Sequence, residues 1–211
     1  FVMDDMVEYL GPEILGAQYA TVATQIIKFC NAPNPAMRQA STYGIGVMAK
    51  NGGAYFGTIV NDCLQGLRLA IDFEMPSSIK EKKAKVKQFN HARDNAVSAL
   101  GKVIRYQPTT VDLNTLIPGW LNLLPLKNDV EESKIQNEIL ATILTENPIL
   151  IVGDQYQRLE QLVIILGTVL QKKYVEDETG LKLARFIKNA LSDANVGPHV
   201  TTYASKLPKE A

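Results

Sequence analysis

Apolar and polar residues follow a helical pattern in one segment of the chain, and that pattern occurs three times. The segment of residues 38–49 matches residues 93–104 at an offset of 55, and a third region follows at a further offset of 40. The aligned pairs are Arg38/Arg93, Ser41/Ala96, Ile45/Leu100, Gly46/Gly101 and Met48/Val103, then Ala99/Ile139, Leu100/Leu140, Val103/Ile143, Ile104/Leu144 and Pro108/Pro148. Apolar pairs at helical spacing that recur about every 40 residues are typical of stacked helical hairpins.

Similar apolar stripes along the rest of the chain predict about ten helices. Turn residues mark their ends, such as Asn34-Pro35, an N-cap followed by a proline, and Gly52-Gly53. The predicted helices cover about 1–10, 19–30, 35–51, 56–71, 80–106, 113–124, 129–146, 156–173, 177–191 and 199–207. Gly11-Pro12 is expected to end the first of them. The run Ile149–Val152 could form a strand in isolation, but the chain offers it no partner strand.

The predicted fold is all-α, a right-handed α-solenoid of about five HEAT-type helical hairpins. Two helices per unit and a period near 40 residues fit HEAT or armadillo repeats, because tetratricopeptide and ankyrin units are shorter. Residues 1–211 are expected to form a single solenoid segment, with approximate repeats 1–33, 34–75, 76–126, 127–173 and 174–211. A stack of this kind offers surface rather than a chemical pocket, which favours binding over catalysis.

Composition adds an uneven charge distribution to this picture. The 211 residues are 46% hydrophobic and 21% charged, and the formal net charge is zero. Residues 1–79 carry 4 basic and 7 acidic groups, residues 80–110 carry 8 and 2, and residues 111–211 carry 10 and 13. No uncharged run reaches the roughly 18–20 residues that a membrane-spanning helix needs, so no membrane association is expected.

Two charged clusters contain the candidate partner-binding residues. The basic cluster comprises Lys80, Lys82, Lys83, Lys85 and Lys87. It fits a solvated loop and helix start, contact with an acidic protein surface or, less well, nucleic acid, because no aromatic residue interleaves with the lysines. The acidic cluster comprises Asp129, Glu131 and Glu132. It fits the negative charge favoured at a helix N-terminus, or contact with a basic partner.

No catalytic, cofactor-binding or metal-binding site is predicted. The Gly44-Ile45-Gly46 sequence lies inside a predicted helix, so close helix packing explains it better than phosphate binding does. Cys30 and Cys63 lie among apolar residues, as reduced core cysteines do. His91 and His199 lack the neighbouring donors that a zinc site needs. The chain is therefore not expected to be an enzyme.

Three stretches of the sequence resemble one protein family. Residues 38–49, with Arg38-Gln39-Ala40 and Tyr43-Gly44-x-Gly46-Val47-Met48-Ala49, resemble a HEAT helix in the C-terminal part of importin-β-type nuclear transport receptors. Within that family they are most similar to the importin-five branch, and residues 90–102 and 116–132 resemble the same branch. The resemblance covers about 1–148 and fades towards the C-terminus. Residues 76–88 depart from the family pattern, being longer and richer in lysine.

The resemblance implies a C-terminal fragment of a longer import receptor that shuttles between cytoplasm and nucleus. It implies binding of protein cargo with basic localisation signals. Release by the GTP-bound Ran GTPase, and contact with phenylalanine-glycine nucleoporins, are implied for the full-length receptor. The alternative is a HEAT-repeat scaffold or adaptor protein unrelated to nuclear transport. Neither function needs a cofactor.

Overall fold

The computed structural model describes residues 2–16, 18–172 and 174–207, which contain helices and turns but no strand. The α-helices are α1 (Val2–Asp5), α2 (Gly11–Leu15), α3 (Gln18–Ile27), α4 (Pro35–Asn51), α5 (Gly53–Phe56), α6 (Val60–Ile71), α7 (Lys83–Tyr106), α8 (Leu113–Leu121), α9 (Val130–Glu146), α10 (Pro148–Val152), α11 (Leu159–Lys172), α12 (Asp177–Ser192) and α13 (Gly197–Ala204). A π-helical turn covers Met6–Leu10, and 3-10 turns cover Ser77–Ile79 and Asp154–Tyr156. The predicted all-α fold class is confirmed.

The helices form two compact units. Unit 1 comprises Phe1–Asp112 with Lys127–Glu132, and unit 2 comprises Leu113–Leu126 with Ser133–Ala211. Each unit buries its own set of apolar side chains. Removal of this apolar surface from water is the main contribution to the stability of each unit. The division of the chain into five repeats stays a prediction.

In unit 1, α3 and α4 form an antiparallel hairpin. The Tyr19 hydroxyl donates to the carbonyl of Met48 at 3.4 Å, and the Ser41 hydroxyl donates to the carbonyl of Ile26. The start of one helix therefore faces the end of the other. The predicted N-cap of α4 is confirmed, because the Asn34 side chain accepts a backbone N–H two residues further on at 2.9 Å.

Helices α6 and α7 pack against each other as the second hairpin of unit 1. Helix α4 runs parallel to α7, as the corresponding helices of successive hairpins do. Near the start of both helices, the guanidinium of Arg38 lies 4.6 Å from the ring centroid of Phe89. Near their ends, Nε2 of Gln107 donates to the carbonyl of Ala49 at 2.8 Å. Within unit 1 the second helices of two hairpins therefore stack in the arrangement of an α-solenoid.

Glycines permit close approach where the two hairpins of unit 1 meet. A Cβ on Gly46 of α4 would lie 3.6 Å from Cβ of Ala99 and 2.9 Å from Cδ of Lys102, both in α7. A Cβ on Gly66 of α6 would lie 3.0 Å from Sγ of Cys30, just beyond the end of α3. The prediction that Gly46 serves close helix packing is confirmed.

The core of unit 2 includes Trp120 of α8. This side chain is fully buried, and its Nε1 donates to Oε1 of Gln136 in α9 at 2.9 Å. Nδ2 of Asn137 donates to a backbone carbonyl just before α12 at 2.7 Å. Gly167 in α11 leaves room for the side chain of Leu207, which follows α13.

Gly11-Pro12 ends the first helical region as predicted, because Gly11 has non-helical dihedral angles (φ 72°, ψ 167°) and Pro12 lies in the first turn of a separate helix, α2. Two other segments differ from the sequence pattern. The run Ile149–Val152 lies in α10, which Pro148 starts in the same way. The lysine-rich helix begins at Lys83, later than predicted. The predicted boundaries at Phe1, Lys173 and Ala211 lie outside the described residues.

Candidate partner-binding surfaces

Five exposed lysines form a basic surface on unit 1. They are Lys80, Lys82, Lys83, Lys85 and Lys87, here called the lysine segment. The segment follows the 3-10 turn of Ser77–Ile79 and continues into the first turn of α7. No side-chain hydrogen bond caps the start of α7, and its first turn contains no acidic residue. The positive end of this helix is therefore not balanced by a negative side chain of the same turn.

A buried arginine holds two aromatic rings that flank the lysine segment. Phe73 precedes the segment and Phe89 follows it, and their ring centroids are 6.0 Å apart. The guanidinium carbon of Arg38 lies 3.7 Å from the ring centroid of Phe73 and 4.6 Å from that of Phe89. Its Nη1 donates to the carbonyls of Ala32 and Pro33 at 2.6 and 3.1 Å. These three side chains, Arg38, Phe73 and Phe89, are here called the aromatic clamp.

The aromatic clamp compensates the burial of a charged group. Arg38 is only 2% exposed, and burial lowers the pKa of its guanidinium from the ordinary value. An arginine nevertheless remains protonated in a protein. The two rings and the two backbone carbonyls supply the negative potential that a buried cation needs.

Side chains of α7 hold the start of α9 within unit 1. The Asp94 carboxylate accepts the backbone N–H groups of Asn128 and Asp129 at 2.8 and 2.9 Å. Asp129 accepts the backbone N–H of Glu132 at 3.2 Å and a side-chain N–H of Asn95 at 3.1 Å. Asp129 thus acts as an N-cap for α9, and a second carboxylate fixes the turn that precedes it.

Glu132 binds a lysine inside unit 1. Its carboxylate accepts hydrogen bonds from the hydroxyl of Ser98 and from the ammonium of Lys102, the latter at 3.2 Å. The side chains of Lys102 and Glu132 are 13% and 9% exposed. The ammonium also lies 5.5 Å from the ring centroid of Tyr43. This ion pair links the first turn of α9 to α7, the helix that packs on Gly46 of α4.

The structure separates the predicted partner-binding residues into two groups. The lysine segment and Glu131 are exposed, whereas Asp129 and Glu132 make hydrogen bonds within unit 1. The sequence places Asp129 and Glu132 at the start of a helix, but it does not show that their side chains face α7. Partner binding by either cluster stays a prediction.

Unit 2 contains an apolar groove that the sequence analysis missed. The groove has a volume of about 600 Å³, and residues of α10 and α12 line it. Ile149 and Tyr156 of its lining are 67% and 54% exposed, and Lys182 and Arg185 add positive charge. The available sequence signal was the apolar run Ile149–Val152, which does not indicate by itself which of its residues reach the surface.

The two cysteines are free thiols buried in unit 1. Burial raises the pKa of Cys30 to about 11, and a contact of 3.0 Å with the hydroxyl of Ser41 opposes part of that rise. Burial also raises the pKa of Cys63, and the nearby Cys30 and Asp62 raise it further. A thiol that stays protonated and covered is a poor nucleophile.

We expect neither cysteine of the folded chain to react with Ellman's reagent at about pH 8, and both to react after unfolding in guanidinium chloride. The unfolded thiols ionise at about pH 8.5, below the folded value of about 11 for Cys30. Stability should therefore fall as the pH rises through that interval, because ionisation favours the unfolded chain. Release of one equivalent of chromophore before unfolding would contradict the assignment.

The described ranges contain neither a metal-binding cluster nor a membrane-spanning helix. No group of three or more histidine, cysteine, aspartate or glutamate side chains there is placed to hold a metal ion. None of the helices within 2–16, 18–172 and 174–207 combines the length and apolar character that crossing a bilayer requires.

Comparison with known proteins identifies relatives of this helical chain. No family model matches the sequence. The chain is 28% identical over 181 residues, 84% of its length, to a protein named probable importin-5 homolog from Dictyostelium discoideum. It is 23% identical over 147 residues, 69% of its length, to importin subunit beta-3 from Saccharomyces cerevisiae. The chain is similar to importins over most of its length. The resemblance predicted from three sequence stretches is confirmed, and the importin-five branch is consistent with the name of the Dictyostelium relative.

The chain spans only a small part of these importins. Its matched region covers 16% of the Dictyostelium protein and 13% of the yeast protein. Both relatives are named as importins and neither as an enzyme. The activity and partners of a whole importin are therefore proposals for this chain.

Proposed function

We propose that the chain is the C-terminal part of a nuclear import receptor, which binds protein cargo and releases it when GTP-bound Ran binds. The observation that carries this proposal is the match to an importin over 84% of the chain. The proposed receptor moves between cytoplasm and nucleus, contacts phenylalanine-glycine nucleoporins on the way, and acts by reversible binding rather than by catalysis.

The packing of unit 1 suggests how such a segment works. Helices α4 and α7 stack in parallel, with Gly46 at a close contact between them. In a repeat fold each hairpin contacts only its neighbours, so small adjustments at each interface change the curvature of the whole. If cargo binds one curvature of the solenoid more tightly and Ran-GTP binds another, each ligand increases the population of the curvature that it prefers. Binding of Ran-GTP then weakens the binding of cargo, which couples cargo release to Ran.

Exposed acidic residues support binding of cargo with basic signals. Glu131 lies on the exposed side of the first turn of α9. Asp129 and Glu132 fix that turn by bonds to α7, so the position of Glu131 is set before cargo arrives. An acidic residue whose backbone position is already fixed loses less conformational entropy on binding a lysine or arginine.

Deleting residues 1–211 from the full-length receptor is expected to reduce the amount of basic-signal cargo retained in a pull-down. GTP-bound Ran, and not GDP-bound Ran, should elute the cargo that the intact receptor holds. Within the chain, Glu131→Gln should weaken cargo retention more than Glu138→Gln. Both residues are exposed on α9, but only Glu131 lies in the first turn, which hydrogen bonds to α7 hold in place.

Equal cargo retention with and without residues 1–211 would contradict a role of this segment in cargo binding. Failure of the full-length protein to bind either Ran-GTP or phenylalanine-glycine repeats would favour the alternative, a HEAT-repeat scaffold or adaptor unrelated to nuclear transport.

A further inference from the structure

We propose that the lysine segment is a docking site for an acidic stretch of a protein partner, rich in aspartate or glutamate. The proposal rests on the proposed function in one respect, since both require a protein partner. The partner chemistry is different, because cargo with basic signals would be repelled by these lysines.

The lysine segment carries positive charge that the described residues do not balance. Residues 80–87 contain five lysines and one acidic residue, Glu81. Several lysines elsewhere in the described ranges have carboxylate partners, such as Lys102 with Glu132 at 3.2 Å and Lys134 with Glu176 at 2.9 Å. Within the described ranges, none of the five lysines makes an ion pair of this kind. Exposed charge of one sign attracts partners of the opposite sign.

The position of the lysines on α7 makes this charge unfavourable in the absence of a partner. Lys83 and Lys87 are four residues apart, so their side chains are neighbours on one face of the helix. Like charges at that spacing, and cations near the positive end of a helix dipole, both destabilise a helix. A carboxylate bound between the two lysines removes both effects.

The aromatic clamp gives the lysine segment a fixed place on unit 1. Because Phe73 and Phe89 both contact Arg38, the chain between them leaves and rejoins the unit at one point. A segment with fixed ends loses less conformational entropy when it binds. The clamp therefore favours a defined docking site over a freely moving basic loop.

The same clamp disfavours nucleic acid as the partner. Sequence-tolerant binding of single strands combines basic side chains with exposed aromatic faces on which bases stack. Phe73 and Phe89 are the aromatic residues that flank the lysine segment, and both are half-buried against Arg38. An acidic peptide needs no such face, because it binds through its carboxylates.

The test is the fluorescence anisotropy of a fluorescein-labelled peptide of ten glutamates titrated with the 211-residue chain. One variant changes Lys82, Lys83, Lys85 and Lys87 to glutamine. A matched control changes four other exposed lysines to glutamine, namely Lys28, Lys50, Lys127 and Lys188. Both variants lose four positive charges and differ only in where they lose them. Circular dichroism and thermal melting check that both fold like the parent chain.

We expect the lysine-segment variant to bind the peptide at least about tenfold more weakly, and the control to change by less than about twofold. A loss of a few tenths of a kcal/mol for each of four exposed ion pairs gives a factor of this order. Binding by the parent chain should weaken as salt is raised from about 50 to about 300 mM, because salt screens exposed charges.

Three outcomes would overturn the proposal. The first is no binding of the peptide by the parent chain, and the second is equal weakening in both variants, which would reflect net charge alone. The third is tighter binding of a ten-nucleotide thymidine strand, lost in the lysine-segment variant, which would indicate a nucleic-acid site. The assay contains neither cargo nor Ran, so its failure is distinct from a failure of the proposed transport function.

Discussion

Replacing Trp120 with alanine is expected to lower the free energy of unfolding by about 3–5 kcal/mol, the range for removing a buried aromatic side chain. The indole is fully buried in unit 2, so its removal leaves a cavity. It also removes the N–H that donates to Gln136 at 2.9 Å. Urea unfolding followed by circular dichroism measures the change.

Two further variants separate the cavity from the hydrogen bond. Trp120→Phe keeps much of the ring but removes the donor, and it should lower stability by about 1–3 kcal/mol. Tyr106→Ala removes an aromatic side chain that is 42% exposed, and it should change stability by less than about 1 kcal/mol. If Trp120→Ala were as mild as Tyr106→Ala, Trp120 could not be a fully packed core residue of unit 2.

Replacing Glu132 with alanine is expected to lower the free energy of unfolding by about 3 kcal/mol, the lower end of the range for removing one partner of a buried ion pair. The ammonium of Lys102, whose side chain is 13% exposed, loses its carboxylate at 3.2 Å. The hydroxyl of Ser98 loses the same acceptor. Urea unfolding at neutral pH is the appropriate measurement.

The neighbouring glutamate provides the control for this substitution. Glu131 is in the same helical turn but exposed, so Glu131→Ala should change stability by no more than about 0.5 kcal/mol. Combining Glu132→Leu with Lys102→Met should recover much of the loss, because a buried ion pair can often be replaced by apolar side chains. Equal losses for the two single alanine variants would show that Glu132 is not the buried member.

Local sequence signals were sufficient for α4. Asn34-Pro35 predicted its start, and the structure shows the Asn34 side chain capping the helix. Gly52-Gly53 predicted its end, and the helix ends at Asn51. The glycine at 46 predicted a close helix contact because an internal glycine weakens a helix unless packing requires it. Caps and glycines act within one or two turns, so their effects can be predicted from neighbouring residues.

Long-range contacts could not be predicted in this way. The burial of Arg38 depends on Phe73 and Phe89, which lie 35 and 51 positions further along the chain. The burial of Glu132 depends on which face of α9 meets Lys102. A charged residue in an amphipathic helix is normally assigned to solvent, and only the fold shows that these two have partners.

The same difference between local and long-range signals applies to the lysine segment and to the groove of unit 2. Composition alone marked the lysine segment, because a cluster of like charges is usually exposed and five exposed lysines are observed. The groove of unit 2 depends on how α10 and α12 lie together, and an apolar run of four residues is compatible with a strand, a core helix or a surface.

The aromatic clamp has a consequence for engineering this chain. Because Arg38 contacts both flanking rings, we expect that the stretch of residues 74–82 can be lengthened without moving the hairpins that carry it. Each doubling of a flexible loop costs only about 0.6 kcal/mol in closure entropy. An epitope or a reporter peptide grafted there would be displayed on a stable framework. The same tolerance would allow different outward-facing loops to arise on one helical scaffold.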